Sequence, residues 1–137
     1  MADLTITASQ VVPGVNATYH DAVSAVAITA GQTCYLNTSG QAALGDADLS
    51  AAAAVTKGVA VNSAPGVGQW VRLQTGGTLT LGAGAAPVSG VTYVQSDTAG
   101  GLMPIADLDT GDYVTIVGVG GAANTIKMSI FASGNQF

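Results

Sequence analysis

The sequence predicts an all-β fold: a small antiparallel β-barrel or sandwich of two related modules, preceded by an extended N-terminal arm. Two observations carry the class. Turn signals recur along the chain, at Ser39-Gly40, Pro65-Gly66, Gly76-Gly77, Gly100-Gly101 and Gly120-Gly121, and the runs between them are rich in Val, Thr, Ile, Tyr and Leu. A third observation carries the two-module architecture. "GQTCYLNTSGQAALGDADL" begins at Gly31, and "GVTYVQSDTAGGLMPIADL" begins at Gly90. Each is an apolar run, a polar turn ending in Gly, a second short run, then Ala-Asp-Leu.

Thr33 and Thr92 stand 59 positions apart, as do Asp48 and Asp107, while Gly58-Val59 answers Gly118-Val119 at 60. The drift falls where loops absorb insertions. The chain therefore divides into an arm over 1–23 and a β domain over 24–137. That domain holds two modules of ~45 residues, at about 28–82 and 87–134.

Taken in order, the arm opens with "LTITASQVVPG", in which Leu4, Ile6 and Ala8 alternate with Thr5, Thr7 and Ser9 before Pro13-Gly14 breaks the run. This is a strand signature. A strand outside the repeat needs an edge, either on its own barrel or on another chain. A dozen ordered residues lose about 1–2 kcal/mol each in backbone entropy. Burial of Leu4 and Ile6 returns roughly 1.5–3 kcal/mol each. The arm is thus expected to order only when docked, and deleting residues 1–12 is expected to leave the domain folded. In module one, Ser50–Val55 supplies at most one helical turn, capped by Ser50. The run Gln69–Thr75 places Val71, Leu73 and Thr75 on one face and Trp70, Arg72 and Gln74 on the other. In module two, Thr125–Phe131 places Ile126, Met128 and Ile130 inward and Lys127 and Ser129 outward. Aligning the modules sets Val71 over Met128 and Leu73 over Ile130.

At 137 residues the chain is long enough for an independent core. Only 8% of residues are charged, against about 25% in ordinary soluble domains. All acids are Asp, and the formal net charge is −5. Nucleic-acid binding needs a basic stripe, yet Lys57, Arg72 and Lys127 stand far apart. Mean hydropathy is +0.45, but Gly, Asn and Gln interrupt every long uncharged run, so no membrane span is expected. "MADLTITASQ" lacks the basic and apolar regions of a signal peptide, which points to synthesis in the cytoplasm. Sparse charge with much small apolar surface suits a protein buried in an assembly.

Chemistry is scarce. His20 is the sole histidine, and Asp21 beside it points the other way on an extended chain, so no triad forms. One Cys and one His do not make a zinc site, and Cys34 reads as a small buried hydrophobe. "DLDTGD" at Asp107–Asp112 resembles the start of a Ca²⁺ loop. However, Gly111, Asp112 and Gly118 occupy the fifth, sixth and twelfth places, and a turn braced by Asp side chains fits better. The Gly-rich stretches lack a P-loop Lys-Ser/Thr. No catalytic residue, metal or cofactor is expected. Trp70 and Arg72 share an outward face and are of the types enriched at interface hot spots. Either they meet a partner, or the N-terminal strand or a loop covers Trp70.

The segment Ile28–Asn62 and the continuation "GQWVRLQTGGTLTLGAGA" from Gly68 carry a family resemblance. The pattern is Thr29–Gln32, an apolar strand ending at Leu36, a turn at Gly40, Ala43-Leu44, a loop, and Gly58–Ala60; "MADLTITASQVV" adds to it. It resembles tailed-phage capsid decoration (cement) proteins, including those related to the lambda-type head-decoration proteins. The resemblance implies a β-tulip-like domain, a homotrimer on the outer capsid surface of the virion, and a structural, non-enzymatic role reinforcing the shell. It also implies that the arm, through Leu4, Thr5, Ile6 and Thr7, adds to a strand of the major capsid protein. The full-length second module departs from the family pattern. Two other classes fit the residues: a tail or fibre component, and a carbohydrate-binding β module in which Trp70 and Tyr side chains stack on sugar rings.

Overall fold

The computed structural model describes residues 3–137; Met1 and Ala2, the first residues of the expected arm, lie outside them. Ten strands form one curled, half-barrel sheet in which every strand pair is antiparallel. They are β1 (Val12–Pro13), β2 (Thr18–Val23), β3 (Thr33–Leu36), β4 (Ala42–Leu44), β5 (Gly58–Ala60), β6 (Trp70–Thr80), β7 (Thr92–Gln95), β8 (Leu102–Pro104), β9 (Tyr113–Gly120) and β10 (Thr125–Gln136). The all-β class is as predicted. Ser50–Val55 is a single turn: Ser50 Oγ accepts from the Ala53 N–H at 3.1 Å, and the Ala54 N–H donates to Ser50 O at 3.1 Å.

The repeat is visible rung by rung. β3 pairs with β4 and β5, and β5 with β6; β7 pairs with β8 and β9, and β9 with β10. Thr33 faces Val59 and Cys34 faces Gly58, just as Thr92 faces Val119 and Tyr93 faces Gly118. The match of Gly58-Val59 with Gly118-Val119 thus marks one ladder position in both halves. One alignment needs correction. Leu73 faces Ala60 and Ile126 faces Gly120, so the counterpart of Leu73 is Ile126, four residues before the expected Ile130. The cause is the hairpin connection, which spans 61–69 in the first module but only 121–124 in the second. A shift of four preserves strand parity, so Val71, Leu73, Ile126 and Met128 are all still buried.

β6 is the hub. Its first half pairs with β2 and β5, and its second half with β1 and β10. Two apolar clusters flank it: Ala22, Ile28, Cys34, Val71 and Leu73 in one, and Val59, Leu79, Tyr93, Leu102, Val117 and Ile126 in the other. Gln74 departs from the expected exposure. It is fully buried, and its Nε2 donates at 2.9 Å to both Gly76 O and Thr78 O. Its pairing with Tyr19 and Val59 is in regular register, so it keeps the Trp70–Arg72 side of β6, and its burial goes with the side chain folding along its own strand onto Gly76 and Thr78.

The N-terminal region docks on its own body. β2 runs the length of Trp70–Gly76, so residues 18–23 of the expected arm are a sheet strand of the β domain. Further back, burial alternates as predicted, with Leu4, Ile6 and Ala8 packed against the core and Thr5 and Thr7 exposed. Asp3–Thr7 nevertheless forms no ladder strand, and Ala8–Gln10 is a 3-10 turn. The reason is the receiving edge: β8 is three residues long and ends in Pro104, which has no N–H, leaving one backbone bond from the Leu4 N–H to Leu102 O at 2.8 Å. Gly31, at φ +96°, provides the space that Ile6 fills. The segment expected to wait for a partner is ordered against the chain's own core.

Candidate interaction face

β2 and β6 run side by side, with Val23 opposite Trp70, Asp21 opposite Arg72 and Tyr19 opposite Gln74. Directly opposed residues project to one face, so Tyr19, Asp21, Trp70 and Arg72 share the outer surface. Arg72 Nε donates to Asp21 Oδ1 at 2.8 Å and Nη2 to Oδ2 at 3.1 Å, a fork-to-fork pair. The guanidinium carbon also lies 5.0 Å from the centre of the Tyr19 ring. The hydrogen bond from Arg72 holds the Asp21 carboxyl below its ordinary value, and Asp21 raises Arg72 in turn. Both groups are solvent-exposed, so the pair fixes side-chain direction more than it stabilises the fold.

Trp70 is 69% exposed, and nothing in the described chain covers it. Asn62 braces the strand beneath it, accepting the Arg72 N–H at 2.7 Å and donating to Trp70 O at 3.2 Å. The long 61–69 connection ends beside this face and exposes Val67. Ser24 shapes that loop by donating to Gly66 O at 2.7 Å and accepting from the Gln69 N–H at 3.1 Å. The second module has only a short turn at the corresponding place, so the face is a feature of one module.

The outward pair Trp70 and Arg72 was legible from alternation; Asp21 and Tyr19 were missed. The signal was present, since Tyr19, Asp21 and Val23 alternate with His20 and Ala22. His20 pairs with Leu73 and points away from Asp21. Cys34 is buried, and burial pushes its thiol up to about 12, so it carries no thiolate at neutral pH. Of the arm residues, Leu4 and Ile6 lie beside Gly31 and the Ala99–Gly101 turn, and Thr5 and Thr7 lie near Gly84.

A second group of polar side chains gathers at the loops. Asp48, Asp97 and Asp112 bring one carboxylate oxygen each within 4.8 Å of the others. Asp112 Oδ2 accepts from the Asp109 N–H at 3.0 Å, the Asp-braced turn expected of "DLDTGD". Burial, then the charges of Asp112 and Asp48, raise Asp97, and its Oδ1 is buried without a hydrogen-bond partner. Burial and a hydrogen bond with Asp48 push Asp46 up to about 6. No cation is among the charges acting on Asp97 or Asp46.

No family model matches the chain, and no curated protein matches it. Among the described residues, no helix is long and apolar enough to cross a membrane.

Proposed function

We propose that this is a structural virion protein that decorates the outer surface of a tailed-phage capsid and stabilises the shell. The observation that carries the reading is Trp70, 69% exposed on a rigid sheet face beside a mutually neutralised Arg72–Asp21 pair. A large aromatic held out of the core on braced backbone is an anchor for a partner surface, and the adjoining ion pair adds polar contacts with little net charge to desolvate. The low overall charge and the resemblance of Ile28–Asn62 to capsid decoration proteins support the same reading.

In this reading the protein acts as a homotrimer with the major capsid protein as partner. It involves no catalysis, cofactor, nucleic acid or membrane. The Trp70 face makes the main attachment. Leu4, Thr5, Ile6 and Thr7 can add a strand to the shell only after leaving Leu102 and Gly31, so arm attachment requires release from the body. The test is to mix purified protein with expanded, undecorated tailed-phage capsids and sediment them. Cosedimentation that Trp70→Ala weakens at least tenfold is expected. Protein that stays in the supernatant overturns the reading.

A further inference from the structure

The N-terminal region is pinned at one end and lightly held at the other. From Val12 onward it is fixed to β6: Val12 and Pro13 pair with Thr80 and Leu79, and the Gly14 N–H donates to Thr78 O at 2.8 Å. Ahead of the Ala8–Gln10 turn the hold is slight. Among the described residues, two hydrogen bonds join residues 3–7 to the body. The Leu4 N–H donates to Leu102 O at 2.8 Å, and Ser96 Oγ donates to Asp3 Oδ1 at 2.6 Å. None of residues 3–7 is fully buried, and a groove of about 270 Å³, lined by Asp3, Leu4, Ile6 and the Ala99–Gly101 turn, runs beside them. The Ala8–Gln10 turn has no side-chain cap and no buried residue. Changes of φ and ψ there can move residues 3–7 without disturbing the sheet.

Docking also carries a carboxylate to the most acidic place on the molecule. Ser96, which holds Asp3, precedes Asp97, and Asp97 stands with Asp48 and Asp112. Burial raises Asp97 first, and the charges of Asp112, Asp48, Asp109 and Asp3 follow. These groups come from the segment ahead of β9, from the connection between β4 and β5, and from the arm. All are acids. Arg72 is engaged with Asp21, and neither Lys57 nor Lys127 acts on Asp97. Charge on Asp3 strengthens its bond from Ser96, while charge on Asp97 opposes the approach of Asp3.

We infer that residues 3–7 are a strap that swings about the Ala8–Gln10 turn, and that protons taken up by the acidic loops close it. Linkage is reciprocal: docked Asp3 makes Asp97 hold its proton more firmly, so a proton on Asp97 makes the strap dock more firmly. Asp97 is raised above its ordinary value of 3.8, so the closing contribution is complete below that value and is lost as pH rises through the folded value. The structure shows the strap docked, and pH sets how often it opens. Opening bares Leu4, Ile6 and the edge of β8. The inference concerns the free protein and does not rest on the shell reading; either can fail while the other stands.

The experiment is amide hydrogen exchange of the purified protein, read by NMR at about pH 4 and about pH 7 and corrected for intrinsic exchange. The Leu4 N–H reports the strap. The Ala60 N–H, buried and bonded to Gln32 O at 2.9 Å, reports the body. Leu4 is expected to be less protected than Ala60 by about tenfold or more at both pH values, because it opens locally. Its protection is expected to be about threefold lower near neutrality than in acid, the size of an exposed charge contact. Asp97→Asn leaves both strap hydrogen bonds in place and should raise Leu4 protection near neutrality. In an Asp3→Asn background, where the strap is uncharged but still offers Ser96 an oxygen, Asp97→Asn should leave Leu4 protection unchanged. Leu4 protection equal to that of Ala60, equal Leu4 protection at the two pH values, or an Asp97→Asn effect that persists in Asp3→Asn overturns the proposal.

Discussion

Asp21 and Arg72 face each other directly across β2 and β6, joined by two hydrogen bonds of 2.8 and 3.1 Å on the solvent side of the sheet. The pair ties the N-terminal region to the hub strand and sits beside Trp70.

Because the pair is exposed, Asp21→Ala should shift thermal stability only slightly, and a double-mutant cycle with Arg72→Ala should give weak coupling at neutral pH. Asp21 is lowered in the folded state, so its contribution is present above the ordinary value of 3.8 and lost as pH falls through the folded value. Coupling measured by thermal denaturation should therefore fade only below about pH 3.8. Strong coupling at pH 7 would show that the pair supports the fold.

The acidic group predicts the opposite slope. Asp46 is pushed up to about 6, and Asp97 is also raised, so the folded state binds protons that the unfolded state has already released. Their effect is to lower stability as pH rises from about 4 through about 6. Asp97→Asn keeps the shape, removes one charge from the trio with Asp48 and Asp112, and should raise the thermal midpoint at pH 7 while flattening this pH dependence. A lower midpoint across the whole pH range would sink the repulsion account.

Removing the N-terminal segment should cost stability, contrary to the expectation from sequence. Deleting residues 1–10 uncovers the core surface under Leu4, Ile6 and Ala8. Ile6→Ala alone should cost about 2 kcal/mol, the low end for an aliphatic truncation, because Ile6 is half-buried. Gly31→Ala should also destabilise, since its φ is +96° and a Cβ there would overlap Ile6. Chemical denaturation of the three variants decides; unchanged midpoints would mean the segment contributes nothing to the fold.

Gln74 offers a sharper core test. Its Nε2 donates to Gly76 O and Thr78 O, so Gln74→Glu sets a buried carboxylate against two carbonyl oxygens. The cost should be about 3 kcal/mol or more at pH 7 and smaller in acid, where the carboxyl can donate one bond. Equal stability of wild type and variant at pH 7 would indicate that the amide bonds carry no weight.

Strand class and internal repeat are both written in the local pattern of the chain. Period-two alternation is a local property of an extended chain, and turn residues act through their own φ and ψ. Gly58-Val59 and Gly118-Val119 could therefore be matched before any fold was known, as could the outward direction of Trp70 and Arg72. Tertiary structure decided what depends on distance and on loop length. The unequal 61–69 and 121–124 connections made Ile126 the second-module counterpart of Leu73, because a hairpin sets register through the residues it consumes. The bonds from the Gln74 amide to Gly76 O and Thr78 O buried a residue that alternation sets on the side of Trp70 and Arg72. The three-residue edge of β8 gave the N-terminal segment a place on its own core without completing a ladder. Asp48, Asp97 and Asp112 lie far apart in sequence and meet only because three loops converge at the same end of the sheet. Nothing local could reveal that Asp21 faces Arg72, because cross-strand register is fixed by the packing of whole strands rather than by either residue's neighbours.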